Sequence, residues 1–334
     1  MQEQKPLLEV KNLRTYFYTR KGVVPAVDGV DFQVRPGEIL GIVGESGCGK
    51  SVTSLSILQL LIDYAKIEPG SEILMEGKNL AELGKKEMCK IRGKDIAMIF
   101  QDPMTSLNPV MTIKQQLVET VRAHQKVTKE EAAKLALDMM IKVGIPSPEK
   151  RLKEYPHQLS GGMKQRIMIA MALMCNPKLL IADEPTTALD VTIQAQILKL
   201  MRDMKEETGA AIMLITHDMG VVASMADAIM IMYAGRVVEY GAAGEVFKNP
   251  KHPYTAGLLK SIPRLDQKVD SLFTIEGTVP NQYDMPAGCK FWPRCPHATE
   301  RCKAEEPKLL HLGESQVRCF KYEEEAGKER GGNE

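Results

Sequence analysis

Hydrophobic and polar positions alternate loosely through LEVKNLRTYFY (8–18), the period of a strand. The next apolar stretch, VDFQVRPGEILGIVGESG (30–47), predicts a strand, a Pro-Gly turn and a second strand, EILGIV, that ends in glycines. KSVTSLSILQLLI (50–62) predicts a helix. KLLIADEP (178–185) and AAIMLITHD (210–218) are unbroken apolar runs, as in parallel strands covered on both faces. Between them, DVTIQAQILKLMRDMKEETG (190–209) has a helical period, with Asp190 as its cap and Gly209 as its stop. Strands alternating with helices predict an α/β sheet.

A mainly helical insert separates the two halves of this pattern. Thr128 to Glu131 has the form of a capping box, and AAKLALDMMIKVGIP follows with Gly144 and Pro146 at its end. The pattern changes near Gly241, after which Pro, Gly and Cys dominate and predict an appended small domain. AGKERGGNE (326–334) predicts a disordered tail. There is no internal repeat.

Length adds that 334 residues accommodate two domains. Charge adds little: 44 Lys and Arg against 43 Asp and Glu give +1, which offers no basic field for nucleic acid. MQEQKPLLEV lacks an apolar signal core, and runs such as AIMIMY (228–233) are too short to span a bilayer. A soluble, cytosolic protein is expected. That compartment disfavours disulfides among the seven cysteines and favours metal ligation.

The chemistry begins at GESGCGKS (44–51), a full P-loop pattern lying between a predicted strand and a predicted helix. Its candidate phosphate contacts are Gly44, Glu45, Ser46, Gly47, Cys48, Gly49, Lys50, Ser51 and Val52. Glycines let backbone N–H groups wrap phosphate oxygens, the lysine reaches the outer phosphates and Ser51 can ligate Mg²⁺. KLLIADEP ends a strand in two carboxylates: Asp183 to support the metal and Glu184 to polarise the attacking water. LSGGMKQR (159–166) sets Ser160, Gly161 and Gly162 at a second anion-binding helix start. One chain cannot easily aim two such starts at one γ-phosphate, which suggests a composite site between two chains. Cys48 sits at a variable position of the P-loop and reads as without a chemical role; its place near a helix start and Lys50 leaves a low-pKa thiol, open to alkylation, as the alternative. Cys89 and Cys175 read as inert small hydrophobes.

The P-loop, Gln101, LSGGMKQ, LLIADEP, TTALD and His217, in this order, resemble the nucleotide-binding subunit of an ABC transporter over roughly residues 5–240. The resemblance implies a RecA-like P-loop NTPase core with an antiparallel β subdomain and a helical subdomain at about 102–163. It implies that Phe17 stacks on adenine, with Tyr16 as the fallback. Gln101 would touch Mg²⁺ and water, Glu184 would be the general base, Asp190 would lie at the dimer seam and His217 would contact the γ-phosphate. Residues 1–240 would be the cassette and 241–325 a small irregular Cys-rich domain.

FQDPMTSLNPVMTI (100–113) and KHPYTAGLLKSIPRLD (251–266) resemble the importer family for dipeptides, oligopeptides and nickel. That implies an ATPase paired head-to-tail with an identical or paralogous subunit. Two transmembrane permease subunits and, indirectly, an extracytoplasmic solute-binding protein complete the assembly at the cytoplasmic face of the membrane. The region of Pro103 to Pro109 would receive a permease helix. Peptide is the first solute and nickel the alternative. A soluble ABC ATPase with a nucleic-acid finger is the other class considered. It should show clustered basic residues, and RCKAEEPKLLH is mixed in charge. Phe291 and Trp292 then read as core filling.

Cys289, Cys295, Cys302 and Cys319 follow C-x5-C-x6-C-x16-C, without the close pair usual in zinc sites. Longer spacings suit a larger inorganic core, with zinc as the alternative. The dipeptide branch of the family implies a [4Fe–4S] cluster on these four residues.

Overall fold

The computed structural model describes residues 5–102, 106–187, 189–262 and 273–324. The predicted tail at 326–334 lies outside them, as does Pro103. The chain forms two compact units, each built from separated segments.

The first unit takes in residues 5–7, Arg35–Glu38 and Glu82–Ile215. Its strands Ile96–Ile99, Leu179–Asp183 and Ala211–Ile215 are parallel, with Ile181 opposite Met98 on one side and Met213 on the other. Every residue of Leu179–Asp183 and Ala211–Ile215 is buried, as their unbroken apolar runs predict. Helices Ile113–His124, Lys129–Lys142 and Gly161–Leu173 belong to the same unit. The capping box at Thr128 forms: its hydroxyl accepts from the Glu131 amide at 3.2 Å, and Glu131 accepts from the Thr128 amide at 2.8 Å. A second box, Thr112 with Gln115, starts the preceding helix. Helix Val191–Thr208 begins at Asp190, which accepts from the Ile193 amide at 2.9 Å, and ends at Gly209 with φ of 71°.

The second unit comprises Leu8–Val34, Ile39–Ala81 and 216–324. An antiparallel sheet runs Gly22–Val34, Leu8–Thr19, Glu72–Met75 and Lys78–Asn79, with Ala65–Ile67 also on Leu8–Thr19. Elsewhere in the unit, Ile39–Val43 pairs in parallel with Ala228–Tyr233, which pairs antiparallel with Arg236–Ala242. The short strands Ser315–Val317 and Leu310–Leu312 extend that edge. Val43, Ile231, Tyr233, Tyr254 and Phe291 belong to one buried cluster. The cysteine region therefore shares a core with the strand that leads into the P-loop. Phe291 fills that core as expected, while Trp292 lies under the Lys303 ammonium at 5.7 Å.

The helix predicted over 50–62 stops at Ile57. Ser54 and Ser56 turn their hydroxyls back onto the Ser51 and Val52 carbonyls at 2.8 and 2.7 Å, competition that favours helix ends. Gln59 then takes φ of 49° and breaks the helical run. Among the described residues, no helix is long and apolar enough to cross a membrane.

Candidate functional site

In the second unit, strand Ile39–Val43 runs into the P-loop and helix Lys50–Ile57 leaves it. Two glycines are required by close approach. A Cβ on Gly44 would stand 2.2 Å from the Met232 carbonyl oxygen, and one on Gly49, at φ of +104°, would stand 2.5 Å from that of Ala26. Lys50 is 6% exposed and its Nζ donates to the Gly44 carbonyl at 2.7 Å and the Glu45 carbonyl at 3.2 Å. A buried cation thus sits inside the loop, and Ser46 and Gly47 face solvent. Ser51 and Val52 are half-buried in the first helical turn. Glu45 commits its own amide to the Tyr254 hydroxyl at 3.0 Å, so its N–H is spent inside the protein.

Cys48 does not show the low-pKa thiol kept as its alternative reading. It is 1% exposed, and burial pushes its thiol up, outweighing the Lys50 ammonium 3.8 Å away. It packs against Gly44 as a small hydrophobe.

Phe17, half-buried, meets Tyr64 edge-to-face with ring centroids 5.9 Å apart. Tyr64 is 52% exposed and was not singled out by sequence reasoning. Tyr16, named as the fallback, is half-buried. Its hydroxyl donates to Asp28 at 2.7 Å, and burial with that carboxylate pushes its pKa up to about 12. His217 is exposed. It follows Thr216, whose amide donates to the Ile42 carbonyl of the P-loop strand at 3.2 Å.

The first unit holds the carboxylates. Asp183, 4% exposed, is the last residue of strand Leu179–Asp183. Glu184 takes φ of 46°, uncommon for a residue with a side chain. Its amide donates to the Ile215 carbonyl at 2.9 Å, which fixes the turn. Its carboxylate accepts from Gln101 Nε2 at 3.1 Å and the Thr187 hydroxyl at 2.8 Å. Gln101 and Glu184, 83 positions apart, are thus brought together. Such fixed donors aim a proton acceptor without protonating it.

Ser160 caps helix Gly161–Leu173 and accepts from the Met163 amide at 3.4 Å. Gly161 is exposed, and a Cβ on Gly162 would press on Ile193 at 3.3 Å. Gln165, 2% exposed, donates to the Pro185 carbonyl and so ties this helix to the turn carrying Glu184. Sequence reasoning left Gln165 without a role, although it stands inside the LSGGMKQR segment.

In the first unit Gln101 and Asp183 carry amide and carboxylate oxygens, and in the second Ser51 carries a hydroxyl, each an oxygen donor of the kind a hard divalent cation takes. Cys289, Cys295, Cys302 and Cys319 all line one cavity of about 220 Å³. All seven cysteines are free thiols. Burial first, then the neighbouring cysteines, pushes Cys289 up to about 11. Among the described residues, no three His, Cys, Asp or Glu side chains gather closely enough to hold a metal ion.

Comparison with known proteins gives the same reading of the motifs. The family description "ABC transporter" matches residues 27–187, and "Oligopeptide/dipeptide transporter, C-terminal region" matches residues 238–302. The chain is 53% identical to the oligopeptide transport ATP-binding protein AppD of Bacillus subtilis (strain 168), over 97% of this chain and 99% of that protein. It is 50% identical to the dipeptide transport ATP-binding protein DppD of Haemophilus influenzae, over 94% of each. Among solved structures, it resembles the dimeric post-hydrolysis ATP-binding cassette MJ0796 bound to ADP and Pi. That match has a TM-score of 0.64 and 28% identity, covering 71% of this chain and 98% of that one. The fold is therefore that of an ABC ATPase cassette with a P-loop NTPase core. The chain belongs to the ABC transporter family as an ATP-binding subunit, in the branch that carries the oligopeptide/dipeptide transporter C-terminal region.

Proposed function

We propose that this chain hydrolyses ATP to energise uptake of di- or oligopeptides through membrane permease subunits. The observation that carries the catalytic part is Glu184, a carboxylate held by Gln101 and Thr187 beside the buried Asp183. The cargo rests on the relatives' transport of oligopeptides and dipeptides and on the matched C-terminal region.

The roles follow from chemistry. Phe17 supports the adenine base. Lys50 and the amides of the P-loop hold the phosphates. Ser51, Gln101 and Asp183 are the residues that would hold Mg²⁺, which neutralises phosphate charge when bound. Glu184 accepts a proton from water as the water oxygen bonds to the γ-phosphorus and the bond to ADP breaks. His217 steadies the γ-phosphate. Ser160, Gly161 and Gly162 serve the ATP held on the P-loop of a second, identical or paralogous chain in a head-to-tail dimer, and Asp190 lies at the seam. Closure follows from tighter ATP binding in the closed state, and hydrolysis removes that preference.

Residues 1–240 act as the cassette, with the helical subdomain at about 102–163, and residues 241–325 as the C-terminal domain. The region of Pro103 to Pro109 receives the permease at the cytoplasmic face of the membrane. A solute-binding protein outside the membrane delivers the peptide.

What supports a [4Fe–4S] cluster over zinc is the cysteine spacing together with the one cavity that the four side chains line. Cys289, Cys295, Cys302 and Cys319 would hold it, and it would supply a rigid cross-link with redox capacity. Anaerobically purified protein is expected to contain iron and inorganic sulfide and to absorb visible light. Cys302→Ala is expected to lose all three. Zinc without sulfide would replace the cluster by a zinc site.

Cargo is tested in proteoliposomes that contain this chain, its partner ATPase and the permeases, with solute-binding protein added. Labelled dipeptide should accumulate only with MgATP, and nickel should not. Nickel accumulation without peptide uptake would overturn the peptide reading.

A further inference from the structure

The P-loop is gripped by residues far from the cassette motifs. Arg294, whose side chain is 5% exposed, donates from Nη1 to Glu45 Oε2 at 2.8 Å. The Glu276 and Ile275 carbonyls accept from the same guanidinium at 3.0 and 3.3 Å, so it is held from behind. The Tyr254 hydroxyl accepts from the Glu45 amide at 3.0 Å. Gln282 Nε2 donates to the Gly47 carbonyl at 2.9 Å. The next residue, Tyr283, meets the Thr19 hydroxyl at 3.3 Å, on the strand that carries Phe17.

These contacts have a rigid base. Tyr254 opens helix Pro253–Lys260, where Nδ1 of the buried His252 accepts from its amide at 3.1 Å. Glu239, fully buried, accepts from the Lys251 and His252 amides at 2.8 and 2.9 Å. The Tyr254 ring packs on Tyr233 and Phe291, with centroids 4.8 and 5.4 Å away. Residues 254, 282 and 294 all fall within the 238–302 match and outside the 27–187 cassette match.

Glu45 places a negative charge in a loop built to receive polyanions, and unpaired it would repel phosphate. The loop's amides also bind phosphate only while the backbone keeps them converged. We propose that Arg294, Tyr254 and Gln282 are positioning residues for ATP: they clasp Glu45 to Gly47, and Arg294 cancels the Glu45 charge. The C-terminal region thereby sets nucleotide affinity, in addition to any part it has in peptide transport.

This inference rests on the P-loop being the ATP site, so the test carries its own control. A fluorescent ATP analogue is titrated into wild-type protein and into Lys50→Ala, Arg294→Ala, Glu45→Gln/Arg294→Ala, Arg294→Lys and Gln282→Ala. Arg294→Ala should weaken binding about tenfold, the scale of a buried hydrogen-bonded ion pair. Adding Glu45→Gln should recover most of that loss, because the orphaned charge is gone, and Arg294→Lys should recover part of it. Gln282→Ala, at a half-buried position outside the core, should weaken binding about threefold, the value of one neutral hydrogen bond. If Lys50→Ala binds as wild type, the ATP-site reading fails. If Lys50→Ala loses affinity while Arg294→Ala and Gln282→Ala keep it, the clasp fails. If the double variant is no better than Arg294→Ala, charge cancellation fails.

Discussion

Glutamine at position 184 is expected to stop phosphate release while ATP stays bound. The substitution keeps the side chain's length and its carbonyl oxygen, so Gln101 Nε2 and the Thr187 hydroxyl retain an acceptor. It removes the carboxylate proposed to take the proton from water. General-base catalysis contributes roughly 10² to 10⁴ in rate, and Glu184→Gln should fall by about that factor. The backbone gives a reason to expect a specific effect. Glu184 is held at φ of 46° by the hydrogen bond that its amide donates to the Ile215 carbonyl, a conformation that glutamine adopts as readily as glutamate. Melting temperature should therefore barely move. Phosphate release near the wild-type rate would remove Glu184 from its role.

Loss of the Lys50 ammonium is the second large effect. Lys50 is 6% exposed, and its Nζ contacts the carbonyls of Gly44 and Glu45 from inside the loop. Lys50→Ala removes the loop's own cation from the place proposed to receive the phosphates. Truncating one partner of a buried charge pair costs about 2 to 5 kcal/mol, so ATP affinity should drop about a hundredfold or more. Calorimetric titration reads this directly. The defect should differ in kind from that of Glu184→Gln: binding lost in one, turnover in the other. Affinity within threefold of wild type would contradict the phosphate role.

Local features were the most readable from the sequence. The strands at 178–185 and 210–218, the caps at Asp190 and Thr128, and the P-loop depend on neighbours in the chain, and each forms where its residues predict. Helix Lys50–Ile57 is shorter than its apolar run because serine hydroxyls and a positive φ at Gln59 end it. Position-specific chemistry needed the third dimension. Proximity to Lys50 left a low-pKa thiol at Cys48 open as an alternative, and burial acts against it. Tyr16 stood as the fallback to Phe17, and only the structure shows that its hydroxyl donates to Asp28. Arg294 and Glu45 stand 249 positions apart, and no periodicity or spacing connects them. The same holds for Gln101 and Glu184, which only the resemblance placed in one site. The cysteine spacing excluded little alone. The structure adds that the four residues line one cavity.

The central claim is that ATP joins two ATPase chains and that hydrolysis releases them. Light scattering of Glu184→Gln, with its partner chain if the subunits are paralogues, tests it most directly. With ATP the variant should elute at twice the chain's 37.1 kDa, or as a one-to-one complex with the paralogue, and with ADP as separate chains. Separate chains under saturating ATP, with ATP demonstrably bound, would contradict it.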